Sequence, residues 1–228
     1  MATNDMCGRY VQFKLFPLLK QEFNLQSPEI PLRPSWNIAP TQDVPVVVNE
    51  DGNQLMLARW GLIPPWSKDL SIGSRMINAR AETLAEKPSF KGPFKKHRCL
   101  IAADGFYEWR KTEGGKVPVF ITMKDGRPFG FAGLYSDWTS PEGESIRTCS
   151  IVTTQPNELL APIHDRMPAI IRRDKRDLWL DNAVQDPEIL SPLLVLYPAG
   201  QMDAWDVSKK VNAPGNNGPE NIKAVSGA

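Results

Sequence analysis

Neither sign of charge is in excess in this chain: 27 Lys and Arg stand against 26 Asp and Glu, for a formal net charge of +1. That balance excludes a global polyanion-binding surface, so any anion site must come from local clusters of Arg and Lys. Cysteine is scarce. Three residues at wide spacing, Cys7, Cys99 and Cys149, with no Cys-x-x-Cys pair, make neither a disulfide framework nor a zinc site. Histidine is scarcer, and His97 and His164 alone rule out a His-rich metal centre, so no metal and no cofactor is expected. No apolar run approaches membrane-spanning length, and no basic-then-apolar signal pattern opens the chain. These absences point to a cytoplasmic setting with reduced thiols and no membrane partner.

What the chain does have is length enough for one sizeable core, 228 residues, and many fixed turns from 21 prolines and 16 glycines. Gly8 to Gln12 reads as a short strand, and the stretch from Phe13 to Phe23 as an amphipathic helix with Pro17 in its first turn. Val44 to Val48 and Leu55 to Trp60 make a hairpin about Asp51-Gly52. Cys99 to Ala103 is a buried strand running into Asp104-Gly105-Phe106-Tyr107-Glu108-Trp109, and Val117 to Thr122, Phe129 to Leu134 and Arg147 to Thr153 continue an antiparallel series. Gly61 to Trp66 reads as a surface loop, Lys95 to Arg98 as a solvated basic loop, and the tail from Asn212 as irregular and partly mobile. Helices are expected from Pro156 to Leu160, Asp174 to Leu180 and Pro187 to Leu196. The whole predicts a single α+β domain: a curled, mainly antiparallel sheet with a barrel-like core and short peripheral helices.

Few residues stand out chemically. Met6-Cys7 matters because a cysteine freed of everything before it carries an α-amine and a thiol on adjacent carbons. Such a 1,2-aminothiol condenses with an aldehyde and closes to a thiazolidine; otherwise Cys7 is one more small buried residue. Glu108, among Phe106, Tyr107 and Trp109, is either a part-desolvated proton carrier or an outward-facing edge residue. His164, in a Pro-flanked break beside Asp165 and Arg166, is either an acid-base group or a turn residue serving nearby backbone. Arg80 and Arg166 can fork onto phosphates or lie solvated. Asn78 is a turn amide or a fixed donor in a pocket, and Trp66 stacks on an unpaired base or caps the core edge.

In order along the chain come Met6-Cys7-Gly8-Arg9, Asn37-Ile38-Ala39-Pro40, Trp60-Gly61-Leu62-Ile63-Pro64-Pro65-Trp66, Ile77-Asn78-Ala79-Arg80-Ala81-Glu82-Thr83, Asp104-Gly105-Phe106-Tyr107-Glu108-Trp109 and His164-Asp165-Arg166-Met167-Pro168. This series resembles the SOS-response-associated peptidase (SRAP) family of abasic-site shielding proteins, and Val207-Ser208 with Val211-Asn212 resembles its closing segment. The resemblance implies a covalent thiazolidine crosslink between Cys7 and the ring-opened aldehyde of an abasic site in single-stranded DNA, shielding the lesion during repair. It further implies thiol self-processing that exposes the cysteine. By carry-over Cys7 is the nucleophile, Asn78 positions it, Glu108 shuttles protons and His164 assists at the sugar. DNA contacts fall to Arg9, Asn37, Pro40, Trp66, Arg80, Trp109 and Arg166. The implied protein is a monomer that joins the nucleoid when bound to DNA.

One departure is plain: five residues precede Met6, where the family places cysteine directly after the initiator. Residues 1–5 are therefore expected to be a leader, residues added for expression or the product of a mis-assigned start, with the domain spanning 6–228. Two other functions fit the same residues, a cysteine peptidase using Cys7, Glu108 and His164, and a non-catalytic single-strand binder.

Overall fold

The computed structural model describes residues 7–225, so the expected leader and Met6 lie outside the described residues. The chain begins with β1 (Arg9–Gln12), α1 (Phe16–Phe23), β2 (Ser35–Ile38), β3 (Asp43–Asn49), β4 (Asn53–Trp60) and β5 (Asn78–Arg80). It continues through α2 (Pro88–Lys96), β6 (Arg98–Ala103), β7 (Gly105–Thr112), β8 (Gly115–Met123), β9 (Phe129–Thr139) and β10 (Ser145–Thr154). The last elements are β11 (Met167–Pro168), α3 (Arg176–Leu180), α4 (Pro187–Leu190) and β12 (Met202–Asp206).

Two sheets result. One is five-stranded and antiparallel, in the order β12-β8-β7-β1-β2. The other is seven-stranded, and because β9 pairs with both β6 and β10, strands β10, β4, β3, β6 and β9 close on themselves. The expected mixed α+β architecture with a curled, mainly antiparallel core is therefore present; β4 and β5 run parallel to β10.

The chain passes from one sheet to the other at Asp104, between β6 and β7. Its backbone N–H donates to Val11 O, and its Oδ2 accepts from Phe13 N at 2.6 Å and Lys14 N at 2.9 Å. Gly105 follows because a side chain there would strike the Phe120 ring at 2.3 Å and Ile121 O at 2.8 Å. Alternation along β7 then sends Phe106 into the core between the sheets and Tyr107 to the other face, under the C-terminal segment. A third cluster lies beneath the helices, where Phe16, Leu19 and Phe23 of α1 meet Phe94, Trp179 and Leu190. As expected, Pro17 sits in the first turn of α1, and Asn24 ends the helix in the left-handed region at φ 50°.

Four expectations are corrected. Lys95 to Arg98 is no solvated loop: residues 88–96 form α2, and Arg98 is fully buried. Its guanidinium donates to Phe94 O, Lys95 O, Trp179 O, Asp181 O and Val184 O, carbonyls at the end of α2 and at and just beyond the end of α3. The loop from Gly61 is internal at its start, with Leu62 and Ile63 buried and Gly61 backed against Gly73, whose carbonyl oxygen would lie 2.6 Å from an added Cβ. Residues 158–163 form turns rather than a helix. The tail is irregular but anchored: Val211 and Asn221 are fully buried, and Asn217 accepts the backbone N–H of Trp36.

Candidate functional site

The pairing of Arg9 with Tyr107 and Tyr10 with Phe106 fixes how β1 meets β7. Extending that register by one residue sets Gly8 opposite Glu108, with Cys7 just beyond. Cys7 turns back with φ 41°, in the left-handed region that a non-glycine residue seldom adopts. Its backbone nitrogen thereby donates to Glu108 Oε1 at 2.7 Å.

Glu108 is fully buried, and its other oxygen, Oε2, has no hydrogen-bond partner among the described residues. Burial pushes its carboxyl up to about 8, against the pull of hydrogen bonds from Cys7 and the Trp109 backbone. The proton is thus held near neutral pH and released just above it. Burial also raises the Cys7 thiol well above its usual range, the Glu108 charge adds to this, and the Arg166 charge opposes it.

The turn from Asn157 carries His164. Asn157 is buried, accepts Leu160 N at Oδ1 (3.0 Å) and donates through Nδ2 to Tyr197 O (2.8 Å), which pins the turn from inside. His164 Nδ1 accepts the Arg166 backbone N–H at 3.1 Å and lies 3.0 Å from Asp165 Oδ1. Asp165 raises both Cys7 and Glu108 by its charge. Arg166 is held by Glu82, Nη1 donating to Oε1 at 2.6 Å and Nη2 to Oε2 at 2.9 Å, and by Thr153 O at 2.7 Å. Asn78 and Arg80 lie on β5, paired to Ile151 and Thr153 of β10; Arg80 is exposed.

A cleft of about 430 Å³ opens beside this corner, lined by Gly8, Arg9, Pro40, Ile77, Trp109, Lys116 and Asn212. Of the expected DNA contacts, Arg9, Pro40 and Trp109 share this cleft. Trp66 stands apart on the surface, 64% exposed. Asn37 is different: it is buried, and its amide is spent internally, Nδ2 donating to Val211 O, Ala213 O and Asn216 O while Oδ1 accepts from Arg9 Nη1. It anchors the tail that forms one wall of the cleft, where Asn212 Oδ1 accepts Trp109 Nε1 at 2.9 Å.

Glu82, Asp165 and Asn157 received no role from the sequence. The first two lie inside the recognised motifs, where their charge beside Arg80, Arg166 and His164 was the available signal; Asn157 had none. Among the described residues no group of three or more His, Cys, Asp or Glu is placed to hold a metal, and no helix is long and apolar enough to cross a membrane.

Comparison with known proteins places the chain in a family. The family model described as SOS response associated peptidase (SRAP) matches residues 6–214. The abasic site processing protein YoqW of Bacillus subtilis is 48% identical over 223 residues, spanning 96% of this chain and 100% of that protein. The abasic site processing protein HMCES of Gallus gallus is 34% identical over 82% of this chain and 65% of its own length. A crystal structure of a protein from Bacteroides thetaiotaomicron superposes with a TM-score of 0.87 at 28% identity, covering 96% of this chain and 100% of that one.

Proposed function

The chain belongs to the SOS response associated peptidase family, and from that membership we propose that it processes abasic sites in DNA by forming a covalent thiazolidine through Cys7. The names of the relatives from Bacillus subtilis and Gallus gallus support abasic-site processing. The observation that carries the chemistry is the 2.7 Å contact between the Cys7 nitrogen and Glu108, a carboxyl whose proton comes and goes near pH 8.

With the residues before Cys7 removed, that nitrogen is an α-amine. It attacks the aldehyde carbon of the ring-opened deoxyribose; Glu108 gives a proton to the departing hydroxyl, which leaves as water, and the carboxylate takes the remaining nitrogen proton back as the neutral imine forms. The thiol then adds to the imine carbon, its proton passes to nitrogen, and the five-membered ring closes. A raised thiol suits this order, because the amine attacks first and the sulfur closes within the same residue. It suits a cysteine peptidase poorly, since such a nucleophile works as a lowered-pKa thiolate beside an imidazole, and Cys7 has a buried carboxyl beside it instead. His164 assists at the sugar hydroxyl, and Asn78 steadies the reacting residue. Arg80 and Arg166 hold flanking phosphates, Trp66 stacks on a neighbouring base, and Arg9, Pro40 and Trp109 form the wall the strand follows.

Self-processing belongs to the same corner, with Glu108 beside the nitrogen at which the preceding peptide bond would break. Intact mass and denaturing electrophoresis test the proposal together. The active protein is expected to begin at Cys7 and to form a denaturation-stable adduct with abasic single strands only. A fully active protein that retains residues 1–6, or an equal adduct from Cys7→Ala, would overturn it.

A further inference from the structure

Arg166, the arginine proposed to hold a phosphate, is already occupied. Glu82 takes its Nη1 and Nη2 through two oxygens at 2.6 and 2.9 Å, the two-pronged arrangement a guanidinium also offers to a phosphate. The two partners are unequally fixed: the Arg166 side chain is 12% exposed and that of Glu82 is 46% exposed. Arg166 has a second tether in Thr153 O, 2.7 Å from Nη2, and its own backbone N–H is anchored on His164 Nδ1. The arginine therefore keeps its place when the carboxylate leaves. Arg80, two residues before Glu82, is exposed and its charge also acts on Glu82. One carboxylate thus pairs with a largely covered guanidinium and feels the charge of an exposed one.

We propose that Glu82 is a removable stand-in for a DNA phosphate: it occupies the Arg166 fork in the strand-free protein and yields it when the strand arrives. The idea rests on the reading of this corner as a single-strand site. Its consequence is a threshold. A stray phosphate must displace an intramolecular carboxylate, whereas a strand that also engages Trp66 and the cleft brings several contacts at once and supplies the extra binding energy. With Glu82 in place the Arg80–Arg166 pair carries one net positive charge, and without it two, which raises the number of counterions released on binding.

The test measures affinity for a fluorescent oligothymidylate without any abasic site. Glu82→Gln and Glu82→Ala are expected to bind roughly two- to fivefold tighter than wild type, the scale of one partly exposed ion pair removed from competition. Their log affinity should fall more steeply with log salt, by about 0.7, because no displaced Glu82 carboxylate offsets one of the neutralised phosphates. Variants that melt like wild type but bind no tighter overturn the inference while leaving the DNA reading intact. A wild-type protein that binds no single strand overturns both. The displacement can also be followed without any substitution: the Glu82 carboxyl, held below its ordinary value by the Arg166 hydrogen bond, should rise on strand binding when monitored by carbon-13 NMR. A carboxyl that stays where it is refutes the displacement.

Discussion

Cys7 and the Cys99–Cys149 pair are all buried, and burial raises all three thiols. Their neighbours differ. Cys99 on β6 faces Gly133, and Cys149 on β10 faces Tyr135, both within strands of the closed sheet and packed in one cluster with Tyr10, Trp60 and Phe131. Cys7 lies two residues ahead of β1 with a left-handed backbone, its nitrogen on a buried carboxyl and its thiol under the opposing charges of Arg166 and Asp165. Exposure does not separate the cysteine proposed to react from the two that pack. A buried carboxyl within hydrogen-bond reach of the same residue does.

The largest effect expected is on the crosslink itself. Cys7→Ser removes the sulfur that closes the ring, so no denaturation-stable adduct with abasic single strands should remain. Cys99→Ala and Cys149→Ala should retain the adduct and cost about 1–2 kcal/mol each in urea unfolding, the scale of a small core cavity. An adduct lost in Cys149→Ala but kept in Cys7→Ser would reverse the comparison.

Next in size is Glu108→Gln. The amide oxygen still accepts the Cys7 N–H, so the corner keeps its geometry, but no proton can be carried. Capture measured by quenched time points should slow by roughly 10²–10⁴-fold, the usual reach of one general acid-base group. A rate within twofold of wild type would reduce Glu108 to a positioning residue.

Much of this contrast is visible in the sequence, and the reasons for the remainder are specific. Cys7, Glu108 and His164 sit in short ordered motifs, but the aromatic neighbours of Glu108 left it either inward or outward, and only the pairing of β7 in the sheet buries it. Arg98 was hidden by company: it ends a Lys95-Lys96-His97-Arg98 run that reads as surface, and Gly92 and Pro93 obscure the helix whose carbonyls it caps. The role of Asn37 was out of reach for another reason. Its partners Val211, Ala213 and Asn216 are more than 170 residues away, in a tail whose Asn, Gly and Pro content says only that regular structure is absent.

Arg98 supplies a third prediction, in the interior rather than at the reactive corner. Arg98→Met fills similar volume but removes the donor that five carbonyls around the ends of α2 and α3 share, so unfolding should become easier by about 2–4 kcal/mol. Capture by the folded fraction should be close to wild type. A large loss of capture rate at unchanged stability would mean that the helical layer reaches the site in a way the hydrogen bonds do not describe.

The smallest effect expected is on stability against pH, and it separates the two regions most cleanly. Glu108 holds its proton to about 8 in the folded protein, against 4.5 for the free side chain. Between those values the folded state binds more protons than the unfolded one, so the stabilisation from this group is full below about 4.5 and is lost as pH rises to about 8. Glu108→Gln cannot ionise. The variant should therefore gain on wild type through that interval and end about 1–3 kcal/mol more stable at pH 9, discounted from the full linkage because water and local relaxation soften a buried charge. Asp104 is also raised by burial and His97 is lowered by it, so the wild-type curve alone mixes several groups. Both are common to the two proteins and cancel in the difference. Cys99 and Cys149, pushed upward, do not titrate in this range and cannot imitate the signal. Melting curves collected from pH 5 to 9 decide it: a difference that grows with pH places the proton on Glu108, and a flat difference means the carboxyl beside Cys7 is already ionised in the folded protein.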